Sequence, residues 1–102
     1  MAITKLRVNQ LDDFTELKIL VNHPMENGRN RDHNGELIPA HFIRSLQVFC
    51  NQTLVATVDL TGSVSKNPYF VMQLTRVQPG EQIRVRWEDN SGQSDNAELT
   101  IA

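Results

Sequence analysis

Three histidines, a nearby methionine and a single cysteine are the residues whose types could support chemistry. His23 and His33 lie inside the polar run 22–40, NHPMENGRNRDHNGELIPA, beside Met25, and His41 follows it directly. Imidazole nitrogen and thioether sulfur together suit Cu(I). The spacings match no ligand motif of fixed geometry, and a loop histidine is more often solvated than coordinating, so metal binding is not the expected use. Cys50 would act as a nucleophile if His41 or Arg44 stabilised its thiolate. Its place at the end of an alternating apolar segment favours a buried small hydrophobe instead. The chain contains no G-x-S-x-G, C-x-x-C, Gly-rich phosphate loop or H-E-x-x-H. Asp12-Asp13 and Glu88-Asp89 are neighbours at strand ends, where adjacent side chains diverge, which argues against a carboxylate dyad. An enzyme acting alone is not expected.

The elements that must position these residues read as strands. In TELKILV, Leu17, Ile19 and Val21 alternate with polar positions, giving one buried face, with Leu20 on the other. HFIRSLQVFC divides into Phe42, Arg44, Leu46, Val48 and Cys50 on one side and Ile43, Ser45, Gln47 and Phe49 on the other. TLVATVDL follows closely enough to pair with it as a hairpin. YFVMQLTRV and QIRVRWED continue the pattern, with Ile83, Val85 and Trp87 pointing together into a core. Pro79-Gly80 and DNSGQSDN supply turns, AELTIA closes the chain, and AITKLRV is a weaker first strand. Residues 61–68, TGSVSKNP, lack periodicity and read as a crossover between sheets. About seven short strands with turns between them predict an all-β, immunoglobulin-like β-sandwich.

Length and charge narrow the function. With 102 residues the chain suffices for one core, so a single domain over 1–102 is expected. A net charge of -2 and the lack of any Lys/Arg run argue against a nucleic-acid partner. No apolar run approaches the roughly 20 residues of a membrane helix, so no membrane partner is expected, and MAITKLRVNQ lacks the apolar core of a secretory signal. One cysteine permits no internal disulfide.

Residues 22–40 are long for a loop in a small sandwich, since structureless loops beyond about 12–15 residues are uncommon. Asn27-Gly28 and Asn34-Gly35 are the dipeptides favoured in two-residue type I′ turns, so a small hairpin centred on Asn34-Gly35 is expected. His23-Pro24 takes the chain out of the sheet after Val21. Arg29 and Arg31 stand ready to form exposed ion pairs with Glu26, Asp32 and Glu36.

Three stretches then carry a resemblance over almost the whole chain. HPMENGRNRDHNGELIPAHFI has the pattern H-P-M-E-[TN]-G-x-x-x-D with a later I-P, NPYFVMQL has N-P-Y, and IRVRWEDNSGQSDNAELTIA has W-x-D-x-x-G. In this order they resemble the SoxZ family of the bacterial sulfur-oxidation (Sox) system. The resemblance implies an immunoglobulin-like sandwich and a heterodimer with SoxY, whose C-terminal Gly-Gly-Cys-Gly-Gly arm carries sulfur intermediates of thiosulfate oxidation. This chain ends in AELTIA and would be the non-catalytic half of the SoxYZ carrier, with no cofactor, visited transiently by other Sox enzymes. The family is periplasmic and is exported with its signal-bearing partner, which implies that location here.

No catalytic residue is carried over. The run from His23 to Asp32, with Pro24, Met25, Glu26, Gly28, Arg29 and Arg31, and the closing Ile38-Pro39, are expected to touch the partner or the visiting enzymes. Phe49, Val55, Tyr69 and Val71, apolar residues beyond one core's need, are candidates for the heterodimer interface. The alternative from another class is a stand-alone metal or small-ligand binding sandwich using His23, Met25 and His33.

Overall fold

The computed structural model describes residues 4–101. Ala2, Ile3 and Ala102, included in the terminal strands by pattern, lie outside the described residues. Seven strands form: β1 (Thr4–Gln10), β2 (Phe14–Val21), β3 (Ile43–Cys50), β4 (Thr53–Asp59), β5 (Tyr69–Thr75), β6 (Gln82–Asp89) and β7 (Ser94–Thr100). They build two antiparallel sheets, β1-β2-β5 and β4-β3-β6-β7. The expected immunoglobulin-like sandwich is therefore present.

Alternation dictates what lies between the sheets. Leu17, Ile19 and Val21 of β2 face Leu46 and Val48 of β3 and Ile83, Val85 and Trp87 of β6, all buried. Each such aliphatic side chain contributes roughly 1.5–3 kcal/mol on leaving water. Trp87 occupies the inter-sheet core as expected, and its Nε1–H donates to Thr4 Oγ1 at 2.8 Å. Thr4 in turn donates to Asp95 at 3.1 Å, tying β1 to β7 and closing that side of the sandwich. On the other side a groove lined by Cys50, Val55, Leu74 and Val77 runs between the sheets.

Two expectations about local geometry need correction. Ile43 lies on the inner face with Leu46 and Val48, not with Ser45, Gln47 and Phe49, because the β3–β6 register shifts between Ile43 and Ser45. A bulge of one residue reverses which face a strand position sees. The Asn-Gly pairs also do not form type I′ turns. Gly28 and Gly35 have φ of 84° and 81°, but Asn27 and Asn34 keep negative φ. The type I′ hairpin occurs instead at Asn51 (φ 48°) and Gln52 (φ 72°), which join β3 to β4. Gly80, with φ 88°, follows Pro79 in a turn closed by the Glu81 N–H on the Gln78 carbonyl, as its sequence predicts.

Residues 61–68 do cross from β4 in one sheet to β5 in the other. Gly62 permits a close approach there: a Cβ on it would stand 2.9 Å from Asn27 Cα. The crossover thus packs directly against the excursion that leaves β2.

Candidate functional site

The excursion between β2 and β3 is a hairpin with a tethered base and an exposed tip. At the base, Glu26 and His41 exchange both backbone hydrogen bonds, 2.6 and 2.8 Å. Further out, the Ile38 N–H donates to the Asn30 carbonyl, and Arg31 bridges Leu37. At the tip, the Gly35 N–H reaches the Asp32 carbonyl, the Asp32 N–H reaches the Glu36 carbonyl, and Asp32 Oδ1 accepts from Asn34 and Glu36. A hairpin around Asn34-Gly35 was the expected feature, and it forms through Asp32 as an aspartate-capped turn.

The expected ion pairs of Arg29 and Arg31 do not form among the described residues. Arg31 donates to the Gly35 carbonyl at 2.7 Å, and Glu26 accepts from the Asn30 amide at 3.0 Å. Hydrogen bonds within one short hairpin need no ordering of two long side chains, which is the entropic cost that keeps exposed ion pairs weak.

The base is secured by a buried cluster that the spacing of the histidines does not reveal. His23, 3% exposed, is no solvated loop residue. Pro24 turns the chain so that the Met25 N–H donates to His23 Nδ1 at 3.1 Å. Nδ1 therefore accepts, and the proton of the neutral ring sits on Nε2, which faces Asp89 Oδ2 at 3.2 Å. His41 Nε2 lies 2.8 Å from the same oxygen, and the two imidazoles meet edge to face at 4.6 Å between centroids. Asp89 Oδ1 accepts from the Ser91 N–H and hydroxyl and from the Gln93 N–H.

Met25 completes this arrangement. Its φ of 50° directs the side chain inward, where it is 5% exposed and its sulfur accepts the Ile43 N–H at 3.3 Å. The H-P-M-E run is therefore a fold element: His23 caps the turn, Pro24 bends it, Met25 plugs the core and Glu26 pairs with His41.

Neighbouring segments hold the base from two further directions. Asn90 exchanges hydrogen bonds with Phe42 and donates from its amide to the Ala40 carbonyl at 2.9 Å. Asn67 of the crossover brackets His23, taking its N–H at 3.0 Å and donating to its carbonyl at 2.9 Å.

The electrostatics follow from these contacts. Burial pushes the Asp89 carboxyl up, but the hydrogen bonds from Ser91, His23, His41 and Gln93 outweigh it and hold the group well below the usual carboxylate range. Burial pushes His23 down from its ordinary value, and the adjacent His41 adds to that, against the raising effect of Asp89. An ionised carboxylate engaged by five donors is a poor base, so the cluster is built for holding, not for proton transfer.

The three ligand atoms of His23, His41 and Asp89 lie within 4.8 Å of one another, a set that two imidazoles and a carboxylate can offer to a metal. Coordination through His23 Nε2 would move the ring proton to Nδ1, where the Met25 N–H already points, leaving two donors opposed. Ligating histidines normally donate from the second nitrogen. The donor set as arranged fits a hydrogen-bonded clasp and not a metal centre. His33, from the expected His23–Met25–His33 set, lies at the exposed hairpin tip, outside this group.

Other candidates divide by exposure. Arg29, Arg31 and Asp32 are exposed toward the tip, Pro24 and Pro39 are exposed near the base, and Glu26, Gly28 and Ile38 are half-buried. His23 and Met25 offer almost no side-chain surface. Tyr69 and Val71 are 57% and 53% exposed on β5, Val55 is exposed on the bulge of β4, and Phe49 is half-buried under Arg84, whose guanidinium lies 4.6 Å from the ring centroid. Cys50 is half-buried, and burial together with nearby Glu81 pushes its thiol up, away from a reactive thiolate.

Asp89 and His41 carry the clasp; Asp89 is the aspartate of the W-x-D-x-x-G pattern, but no pattern joined it to His23 or His41. A signal was present: D-N-S-G-Q at 89–93 repeats the D-H-N-G-E form of 32–36, and both fold into the same aspartate-capped turn.

Fold and clasp together define an immunoglobulin-like sandwich that carries a pinned hairpin between its second and third strands. Residues 3–100 match the family described as sulphur oxidation protein SoxZ, and the chain belongs to the SoxZ family. It is a protein of sulfur oxidation. No curated protein matches it.

Proposed function

We propose that this chain is the non-catalytic subunit of a SoxYZ-type carrier. It binds a SoxY-like protein and supports the presentation of that partner's cysteine-bound sulfur intermediates to other Sox enzymes. Membership of the SoxZ family over residues 3–100 carries the reading. The raised Cys50 thiol and the fully engaged Asp89 agree with a supporting role, since neither is poised for chemistry. The exposed hairpin tip, with Arg29, Arg31 and Asp32, is the surface for visiting enzymes, and the location is periplasmic, shared with the partner.

Co-expression with a SoxY-like chain tests this. A single species of heterodimer mass in size exclusion with light scattering is expected, and it should fractionate with periplasmic proteins. Two separate species would sink the reading. Arg29→Glu with Arg31→Glu should leave the heterodimer intact and impair turnover; loss of the heterodimer would instead assign the tip to the partner.

A further inference from the structure

The two outer sheet faces differ in how their charges are satisfied. On β4-β3-β6-β7, one row across the sheet runs Leu54, Phe49, Arg84, Glu98: Arg84 covers Phe49 and stands opposite Glu98. Glu88 there takes both Arg44 and Arg86, at 3.4 and 3.8 Å. That face satisfies itself.

On β1-β2-β5, the register aligns Lys5, Leu20 and Tyr69 in one row and Arg7, Lys18 and Val71 in the next. Arg7 and Lys18 are thus like charges directly opposite each other, a pairing that destabilises an isolated sheet. Lys18 has a 3.7 Å contact with Glu16, but Lys5 and Arg7 have no ion pair among the described residues. Lys5, Arg7, Lys18, Leu20 and Tyr69 line one shallow depression, with exposed Tyr69 and Val71 along its β5 edge. Cations thus crowd one face of a chain whose net charge is -2. A local rule broken with only the Lys18–Glu16 contact to offset it marks a surface whose compensation comes from outside.

We propose that the outer face of β1-β2-β5 is the docking surface for the partner subunit, and that the partner brings an acidic patch with an apolar edge. Its carboxylates pair with Lys5, Arg7 and Lys18, and its apolar side chains cover Leu20, Tyr69 and Val71. This rests on the carrier-subunit reading and selects one face from its two candidates. Aromatic residues and arginine are the side chains that anchor protein interfaces most often. Three cations beside an aromatic edge suit a protein patch better than a lipid or nucleic-acid polyanion, which would call for an extended basic track.

The test measures the affinity of the co-purified pair at 50 and 300 mM salt, with circular dichroism confirming that each variant folds. Arg7→Glu with Lys18→Glu should weaken binding at least tenfold at low salt and flatten its salt dependence. Tyr69→Ala should weaken it at least tenfold at both. Arg86→Glu, on the other sheet, should change it less than twofold. Near-unaltered affinity for the β1-β2-β5 variants, or a larger loss from Arg86→Glu, overturns the inference while leaving the carrier reading intact. No complex with the unaltered chain removes both. Binding of the unaltered chain to phosphatidylglycerol vesicles, abolished by Arg7→Glu with Lys18→Glu, overturns it in favour of an anionic lipid surface.

Discussion

His23 Nε2 lies 3.2 Å from Asp89 Oδ2, though 66 positions separate the two residues in the chain. Through that contact and its His41 counterpart, the hairpin between β2 and β3 is fastened to the turn between β6 and β7. Its rigidity at the base and exposure at the tip both follow.

Asp89→Asn tests the clasp. An amide nitrogen facing the two Nε2–H donors cannot accept from them, leaving buried donors unpaired. The expected loss is about 1–3 kcal/mol, the cost of leaving a buried donor without its acceptor. Urea unfolding measures it, and a loss below about 1 kcal/mol would show that the cluster does not hold the fold.

Stability should fall with acid in two steps. His23 is held below its ordinary value in the folded chain, so the unfolded chain binds the extra proton first, and stability declines as pH drops below about 6.5. The slope for one proton cannot exceed about 1.4 kcal/mol per pH unit. Asp89 is likewise depressed, so its contribution is present above the unfolded carboxylate value and is lost as pH falls further, below about 3.9. Urea midpoints at pH 7.5, 5.5 and 4 should decrease in order, and His23→Gln should flatten the first interval. A midpoint independent of pH between 7.5 and 5.5 would contradict the first step.

Gly62→Ala should loosen the crossover. Its Cβ would meet Asn27 Cα at 2.9 Å and Asn27 Cβ at 3.0 Å, so backbone must move, at a cost of about 1–3 kcal/mol. Amide hydrogen exchange should rise in residues 61–68 and in 23–28 together. A rise confined to the crossover would mean that the two segments are not coupled there.

Gln52→Gly should stabilise the protein by about 0.5–1 kcal/mol. Gln52 sits at φ 72° in a two-residue turn, and Asn-Gly is the sequence such a turn prefers. Thermal unfolding reads the gain, and a lower midpoint would mean that the Gln52 side chain compensates for its strain.

Much of the sandwich was legible because side-chain alternation reports burial directly: Leu17, Ile19 and Val21, and Ile83, Val85 and Trp87, lie where their spacing puts them. Gly28, Gly35 and Gly80 were legible as positions of φ > 0 for a similar local reason, but the type I′ turn itself fell at Asn51 and Gln52, where no glycine marks it. Ile43 was misassigned because a bulge adds a residue that leaves no mark in the pattern.

The clasp belongs to tertiary structure alone. Nothing in the spacing of His23, His33 and His41 distinguishes the histidine at the exposed tip from the two that meet Asp89. Convergence of the buried His23 and the half-buried His41 on Asp89 depends on the packing of segments 66 and 48 positions apart. Strands and family could be read from the residues alone, because they are written in local periodicity and in runs of contiguous residues. Only the fold decided that the H-P-M-E run serves the core and that Arg7 stands opposite Lys18, because cross-strand register and convergence of distant side chains exist only once the sheets have formed.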